Sequence, residues 1–320
     1  MLKEKLLDYL KTSEDYVSGE KLGEILGVSR SAVWKEIRAL RNDGYKIDAV
    51  TNRGYKINGV GDVINSSEIK TDCVIGSEVI CFDEVVSTNE ECKKLGYSGE
   101  KEGIVVVADN QTGGKGRLGR AWSSRNGEGV YMSVLLRPDI SPARLSSITL
   151  CAGLAVCLAL REDFGIDALI KWPNDIVVDG RKICGILTEM SGQLQKVDFV
   201  VVGIGININT REFPEEISKK ASSLYCIAGR EFKRSPVAKS VLTRFDSIYS
   251  VFAEYGFSAF RSEYEKYCVN TGKRVRIINR SGEFEATAVG VDDDGELIVL
   301  KDNGEKTAVF SGEVSVRGVY

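Results

Sequence analysis

Between Ala168 and Asn209 the chain carries the strand-like runs ALIKW, DIVVDG, KICGILTEM and DFVVVGIGININ in succession, separated only by short turns. A short turn joins antiparallel neighbours, whereas a parallel pair needs a crossover of about a dozen residues or more. This stretch therefore argues against a doubly wound sheet. It predicts an α+β layer with a largely antiparallel or mixed sheet. Two earlier runs, GIVVVAD from Gly103 and GVYMSVLL from Gly129, extend it, and helical patterns at 89–97, 142–163 and 235–267 supply its cover. The apolar run from Leu145 to Leu160 is too short to span a bilayer and contains Ser146, Ser147 and Thr149, so it reads as a buried core helix. The polar, turn-prone REFPEEISKKASS at 211–223 reads as a mobile loop.

The two ends differ from this middle. Leu2, Leu6, Leu7 and Leu10 recur at helical spacing. Ser18 then caps a short helix over Lys21 to Leu26, which Gly27 ends. Ser29 caps a further helix with Val33, Ile37 and Leu40 as its buried stripe. Its other face carries Arg30, Lys35, Arg38 and Arg41 against one acid, Glu36. Helix, glycine turn and basic helix make a helix-turn-helix pattern. YKIDAV and YKING, joined by TNRG, follow as a hairpin with Arg53 at its tip, the position of a wing. The pattern predicts a DNA-binding face built from Ser29, Arg30, Ser31, Trp34, Lys35 and Arg38 in the major groove, with Arg53 reaching backbone or minor groove. The bland alternative is a three-helix domain whose basic face is merely solvated. Residues 270–320 are short strands broken by NRSGE, DDDGE and DNGE, a small β-barrel. The expected boundaries are 1–62, 63–268 and 269–320.

Composition narrows the chemistry. At 320 residues, two or three domains are expected. The net charge of −3 gives no whole-chain attraction to nucleic acid or membrane, so any basic surface is local. The eight cysteines never form CxxC, which argues against a zinc finger, redox pair or disulfide framework and fits a reducing cytoplasm. The chain contains no histidine, so a Ser–His–Asp triad, a histidine base and a histidine-ligated metal are all excluded. Charges inside the apolar pattern of the first twenty residues are not those of a signal peptide.

The densest chemistry lies in NQTGGKGRLGRAWSS, from Asn110 to Ser124. Gly114-Lys115 is followed by glycine rather than serine or threonine, so the Walker pattern fails. GxGxxG occurs at Gly114 to Gly119, but the loop runs into a strand rather than a helix, which disfavours a dinucleotide fold. Glycines let backbone N–H groups approach a ligand, and arginines offer forked donors, so the loop suits an anion. A solvated basic turn is the alternative. STN at Ser87 to Asn89 alone could be a helix cap, KWPND at Lys171 to Asp175 a turn between buried strands, and VGIGININ from Val202 a packed strand with close backbone approach.

Taken in order, the loop, STN, KWPND, GRKICGIL (Gly180 to Leu187) and VGIGININ resemble the family of biotin–protein ligases, and the N-terminal pattern resembles the bifunctional ligase and biotin operon repressor group within it. The resemblance covers the whole chain. It implies a winged helix-turn-helix, a mixed α/β catalytic domain like class II synthetases, and a C-terminal SH3-like barrel ending near GEVSVRG. It implies that ATP and biotin form biotinyl-5′-AMP and that biotin then passes to a lysine of a carboxyl carrier domain. Neither step needs a protein nucleophile, which suits a chain without histidine. By matching position, Lys182 meets the biotin carboxylate and adenylate linkage, Arg117 orders the loop over the adenylate, and Arg120 faces phosphate or ribose. Ser87, Thr88, Asn89 and Gln111 bond the ureido ring or line its approach. Lys115 and Gly116 belong to the same pocket, Trp122 walls the bicycle, and Gly185, Gly203 and Gly205 admit the ligand to the backbone. Asn207 meets the adenine edge, and Phe213 is a candidate for its cover. Lys171, Asn174 and Asp175 stand where phosphates, magnesium and the acceptor lysine meet. Asp175 either holds Mg²⁺ or helps deprotonate the acceptor amine. The chain departs from the family at Lys115, where arginine is usual. The resemblance further implies operator DNA as a partner, a homodimer promoted by biotinyl-5′-AMP, no membrane, and a cytoplasmic protein. A lipoate–protein ligase, whose motif uses histidine, and a ligand-sensing repressor without catalysis are the alternatives.

Overall fold

The computed structural model describes residues 2–193, 196–279, 282–310 and 313–316. It divides into two compact units, Met1–Glu68 and Ile69–Tyr320.

In the first unit, α1 (Leu2–Thr12), α2 (Gly19–Leu26) and α3 (Arg30–Asn42) precede a hairpin of β1 (Tyr45–Val50) and β2 (Gly54–Val60), and α4 (Ser66–Ile69) spans the boundary. The turn between α2 and α3 follows the sequence reading closely. Ser18 Oγ accepts from the Lys21 amide at 3.1 Å, and Gly27 closes α2 in the left-handed region at φ 66°. Ser29 Oγ accepts from the Ala32 amide at 3.2 Å. Leu6, Leu7, Leu10, Leu22, Val33, Ile37 and Leu40 are buried together with Tyr45 and Ile47 of the hairpin.

The second unit is built on a seven-stranded sheet in the order β3-β4-β5-β9-β8-β7-β6. Its strands are β3 (Glu78–Val85), β4 (Ile104–Gln111), β5 (Gly129–Leu136), β6 (Leu169–Lys171), β7 (Asp175–Val178), β8 (Arg181–Gln193) and β9 (Lys196–Asn207). Only β3 and β4 pair in parallel, joined by α5 (Thr88–Tyr97), and the remaining pairs are antiparallel. The mixed sheet expected from the unbroken strand run is thus present.

Helices cover both faces. On one, Cys92 and Leu95 of α5 pack on Val106, Leu135, Phe199 and Val201. On the other, α6 (Leu145–Leu158) lies against β8, where Thr149 Oγ1 bonds Thr188 Oγ1 at 2.7 Å. A π turn carries α6 on to Asp163, where the expected helical pattern over 142–163 also ends, and the resulting 19 residues, more than the apolar run 145–160 alone, are long enough by length and composition to cross a bilayer. Most of that length is buried inside the protein, so it is a core helix here. Beyond β9 come α7 (Glu215–Ser218), α8 (Leu224–Ala228), α9 (Arg234–Tyr255) and α10 (Arg261–Tyr267). The single long helix expected over 235–267 is divided at Gly256, whose φ of 75° leaves the helical region. The segment at 211–223 is not plain loop, since α7 forms one turn within it.

The C-terminal strands β10 (Arg274–Asn279), β11 (Gly282–Val291), β12 (Leu297–Leu300), β13 (Lys306–Val309) and β14 (Glu313–Val316) form an antiparallel sheet in the order β13-β12-β11-β10-β14. The last residues of GEVSVRG, Arg317 and Gly318, lie outside the described residues. β3 is not among the strand-like runs read from the sequence. It is an edge strand whose apolar run, Val79 to Phe82, is only four residues long and is bounded by exposed Glu78, Asp83 and Glu84, so its signature is short.

Leu40→Ala should remove about 2–5 kcal/mol from the first unit, a large share of the stability of so small a core. Calorimetry should show that unit's transition shifted down, with the transition of 69–320 in place. An equal shift of both transitions would show that the two units do not melt independently.

Candidate ligand site and DNA-facing helix

The site follows from where α5 ends. Along β9, Phe199 and Val201 pack under α5, but the next residues on that face are Gly203 and Gly205. A β-carbon at Gly203 would sit 2.2 Å from Asn89 Oδ1, at the first turn of α5. One at Gly205 would sit 2.6 Å from the Trp122 ring, and one at Gly185 2.8 Å from the same ring. The glycines therefore leave a trough in the sheet surface, and Asn89 and Trp122 press into it.

A buried polar network lines the trough. Ser133 Oγ bonds Asn89 Oδ1 at 2.6 Å and Thr88 Oγ1 at 2.7 Å. Gln111 Oε1 accepts from the Thr88 amide at 2.9 Å, and Gln111 Nε2 donates to Ser124 Oγ at 3.1 Å. Asn89 Nδ2 donates to Glu189 at 2.7 Å. Glu90 accepts from Lys115 Nζ, which holds its carboxyl below the usual range. Burial lowers the Lys93 ammonium most of any single influence, but the carboxylates of Glu189 and Glu90 together outweigh it and raise it.

The trough opens as a narrow pocket of about 50 Å³ bordered by Ser87, Thr88, Asn89, Gln111, Lys115, Gly116, Arg117, Trp122, Lys182, Gly185, Gly203 and Gly205. Every residue that sequence matching assigned to the first ligand borders this pocket. Beside it lies a cavity of about 590 Å³, with Arg117, Trp122, Asn174 and Lys182 lining both. Arg120, Lys171, Asp175 and Asn207 line the larger space.

Within it, Lys182 Nζ lies 2.6 Å from Asp175 Oδ1 and 5.5 Å from the Trp122 ring centroid. Arg117 donates to Asn174 Oδ1 at 2.9 Å, and Asn174 Nδ2 donates to the Ile186 carbonyl at 3.1 Å. Asn207 Nδ2 donates to the Ser222 carbonyl at 3.0 Å. The glycine loop itself is a short 3₁₀ turn over Arg117–Gly119, closed by Gly116 N to Arg120 O at 2.7 Å. Leu118 at its tip takes φ 58° and is 75% exposed.

Sequence reading missed other parts of the cavity. Arg125, Glu128 and Tyr131 form one wall, and burial pushes the Tyr131 hydroxyl up to about 12, so it stays neutral. Glu212, Glu216, Ile217, Lys220 and Ala221 form another beside Phe213, the one residue of this stretch that the sequence offers, which makes the supposed loop at 211–223 part of the cavity wall. Val314 and Ser315 of β14 also reach it. Trp172 ties the KWPND turn to the C-terminal segment, donating its amide to Asn270 Oδ1 at 2.8 Å and its Nε1 to the Gly295 carbonyl at 3.0 Å. Spatial neighbours this far apart in sequence leave no local signal.

In the first unit, Ser29, Arg30, Ser31, Trp34, Lys35, Arg38 and Arg53 are all exposed. Trp34 is 54% exposed, with the Arg38 guanidinium 5.7 Å from its ring centroid. Arg41 instead donates to the Ile47 carbonyl at 2.9 Å and fixes the hairpin to α3. Arg53 lies 4.4 Å from the Tyr16 ring centroid and 3.0 Å from Asp15.

A winged helix-turn-helix followed by a sheet-borne anion site is the plan of a DNA-binding ligase. Family models agree: the HTH domain matches residues 3–56, the biotin/lipoate A/B protein ligase family 81–207, and the biotin protein ligase C terminal domain 271–317. The bifunctional ligase/repressor BirA of Bacillus subtilis is 37% identical over 96% of this chain and 96% of its own, and the Escherichia coli protein of that name is 31% identical over 98% and 96%. The structure of the Aquifex aeolicus biotin protein ligase in complex with biotin and ATP aligns with a TM-score of 0.66 at 36% identity, over 75% of this chain and 98% of that one. The chain belongs to the family of bifunctional biotin ligases and repressors.

Gly203→Ala should displace Asn89 and break its bonds to Ser133 and Glu189. Leaving such buried partners unsatisfied costs about 1–3 kcal/mol, and the pocket should lose its shape. Calorimetric titration with biotin should show at least tenfold weaker binding. Unchanged affinity would mean that Asn89 and Gly203 do not shape the biotin pocket.

Proposed function

We propose that the narrow pocket takes biotin and the adjoining cavity takes ATP, so that the biotin carboxylate lies at their shared wall beside Lys182. The observation that carries this reading is the position of Lys182: it borders both spaces and is paired with Asp175 at 2.6 Å. The carboxylate oxygen attacks the α-phosphorus and the bond to the bridging oxygen breaks, releasing pyrophosphate. A lysine amine of a carrier domain then attacks the acyl carbon and AMP leaves. Lys182 and Arg117 offset the charge that develops at the carboxylate and α-phosphate, in a site where prepositioned donors are worth far more than in water. Arg120 faces phosphate or ribose, Asn207 meets the adenine edge, and Phe213 covers the ring. Ser87, Thr88, Asn89 and Gln111 meet the ureido group or line its approach, and Trp122 walls the bicycle. Lys171 and Asn174 guide the phosphates.

Among the described residues no group of three or more carboxylate, cysteine or histidine side chains is set to cage a metal. That suits Mg²⁺ carried on nucleotide phosphates, which needs only one or two carboxylates from the protein. Asp175 and Glu128 line the cavity and suit that role. Bound there, Mg²⁺ supplies charge neutralisation at the phosphates. Asp175 holds that ion or takes the acceptor's proton.

In this reading 1–62 bind DNA, 63–268 hold the substrates and 269–320 complete the cavity wall. The protein works in the cytoplasm, in keeping with eight free cysteines. A carboxyl carrier domain is the acceptor. Two copies meet on biotinyl-5′-AMP and present paired recognition helices to an inverted repeat, which raises affinity by effective concentration.

The direct test incubates the protein with biotin, Mg·ATP and a biotin carboxyl carrier domain, read by mass. The carrier should gain one biotin only with ATP and Mg²⁺ together, and an unmodified carrier overturns the ligase reading. Lys182→Ala should slow adenylate formation on the order of 10²–10³-fold, as removal of one oxyanion donor does. A rate within about twofold of the parent would put the charge-stabilising role on another side chain.

The repressor part is tested by sedimentation and a DNA shift over a salt series. Biotinyl-5′-AMP should tighten both dimerisation and operator binding, and affinity should fall steeply with salt. Equal DNA affinity with and without the adenylate refutes the coupling and leaves the ligase reading intact.

A further inference from the structure

The glycine loop crosses the narrow pocket and is tied by side chains on both sides. On one side Arg117 reaches Asn174 of the KWPND turn at 2.9 Å, and Asn174 lines both cavities. A ligand anion in the cavity competes for that arginine. On the other side Lys115 Nζ reaches Glu90 Oε1 of α5 at 2.7 Å. Glu90 is not among the residues lining either space. Lys115 borders the narrow pocket, but its Nζ is engaged at Glu90, outside both spaces, so a ligand's contact with Arg117 does not by itself break that tie.

Glu90 is itself fixed. Lys93 lies 3.3 Å from it and 2.7 Å from Glu189, and Glu189 accepts from Asn89 in the pocket floor. The tie thus runs from the loop, through two acids and a lysine, to the buried network that meets the pocket. The Lys115 and Glu90 side chains are 52% and 35% exposed, so an isolated pair would count for little. Here the carboxylate is already held by a second cation on a helix, so closing the loop orders chiefly the lysine.

We propose that Lys115 and Glu90 form a strap that sets how readily the glycine loop opens, and with it how long the activated acyl-adenylate is held. Lys115 is a positioning residue in this account, acting through the loop backbone. The inference rests on the ligase reading for its consequence, but the strap itself is a property of the free protein.

The experiment is a double-mutant cycle of Lys115→Met, Glu90→Gln and both together, with Lys115→Arg as the conservative variant. Limited trypsin cleavage after Arg117 and Arg120 of the ligand-free protein is the first readout, and biotin placed on bystander lysines of serum albumin in the presence of biotin and Mg·ATP is the second. Each single variant should raise cleavage about two- to fivefold, the range of a partly exposed pair, the double variant no further, and Lys115→Arg should stay near the parent. Bystander labelling should rise in the same order. Additive effects in the double variant, or Lys115→Arg behaving as Lys115→Met, would overturn the strap. Coupled cleavage with no biotin transfer by any variant or the parent would uphold the strap and overturn the ligase reading instead.

Discussion

The ligand site depends on missing side chains in one sheet face. α5 covers β9 through Phe199 and Val201 and stops at Gly203. From there Gly203, Gly205 and Gly185 hold the face open, and the space they leave is shaped by Asn89 and Trp122 rather than by aliphatic packing. A sheet with valine at these positions would be filled by its own strands and by α5. The polar network of Thr88, Asn89, Gln111 and Ser133 is affordable because its members bond one another inside that trough.

Charge is concentrated where the narrow pocket meets the larger cavity. Lys182 and Asp175 stand together where the two spaces join, and Arg117 stands against Asn174 on the same wall. With no histidine in the chain, proton transfer has few side chains to run through, so the rate gain must come from holding reactants in line and offsetting phosphoryl charge. The position of the KWPND turn is in turn set from far along the chain. Trp172 is anchored to Asn270 and to the Gly295 carbonyl, both buried contacts. The C-terminal segment thus helps to hold that turn beside the cavity.

What was legible in the sequence was what local physics decides. Ser18, Gly27 and Ser29 bound their helices because a cap needs only neighbours three residues away. The strands from Ala168 to Asn209 were legible because buried runs and short turns leave one arrangement. The residues that border the narrow pocket were reached through ordered motifs. What stayed hidden is long-range or edge-like. β3 is a polar-rimmed edge strand, and the wall at 212–221 is a cavity lining only in three dimensions. The break at Gly256 lies within an otherwise helical pattern, where a single glycine is tolerated often enough to pass unnoticed.

The departure at Lys115 belongs to this hidden class, and geometry gives it a meaning that the motif does not. In the proposed reading the loop meets a ligand through glycine backbone and the Arg117 fork, and neither depends on the side chain at 115. That side chain borders the narrow pocket but ends on a single carboxylate oxygen of α5. A compact ammonium with rotatable donors serves one oxygen as well as a planar fork does, since the fork's advantage appears only where two acceptors lie side by side. The lysine is therefore compatible with an intact ligand site, and the demand on position 115 is a positive charge long enough to reach Glu90.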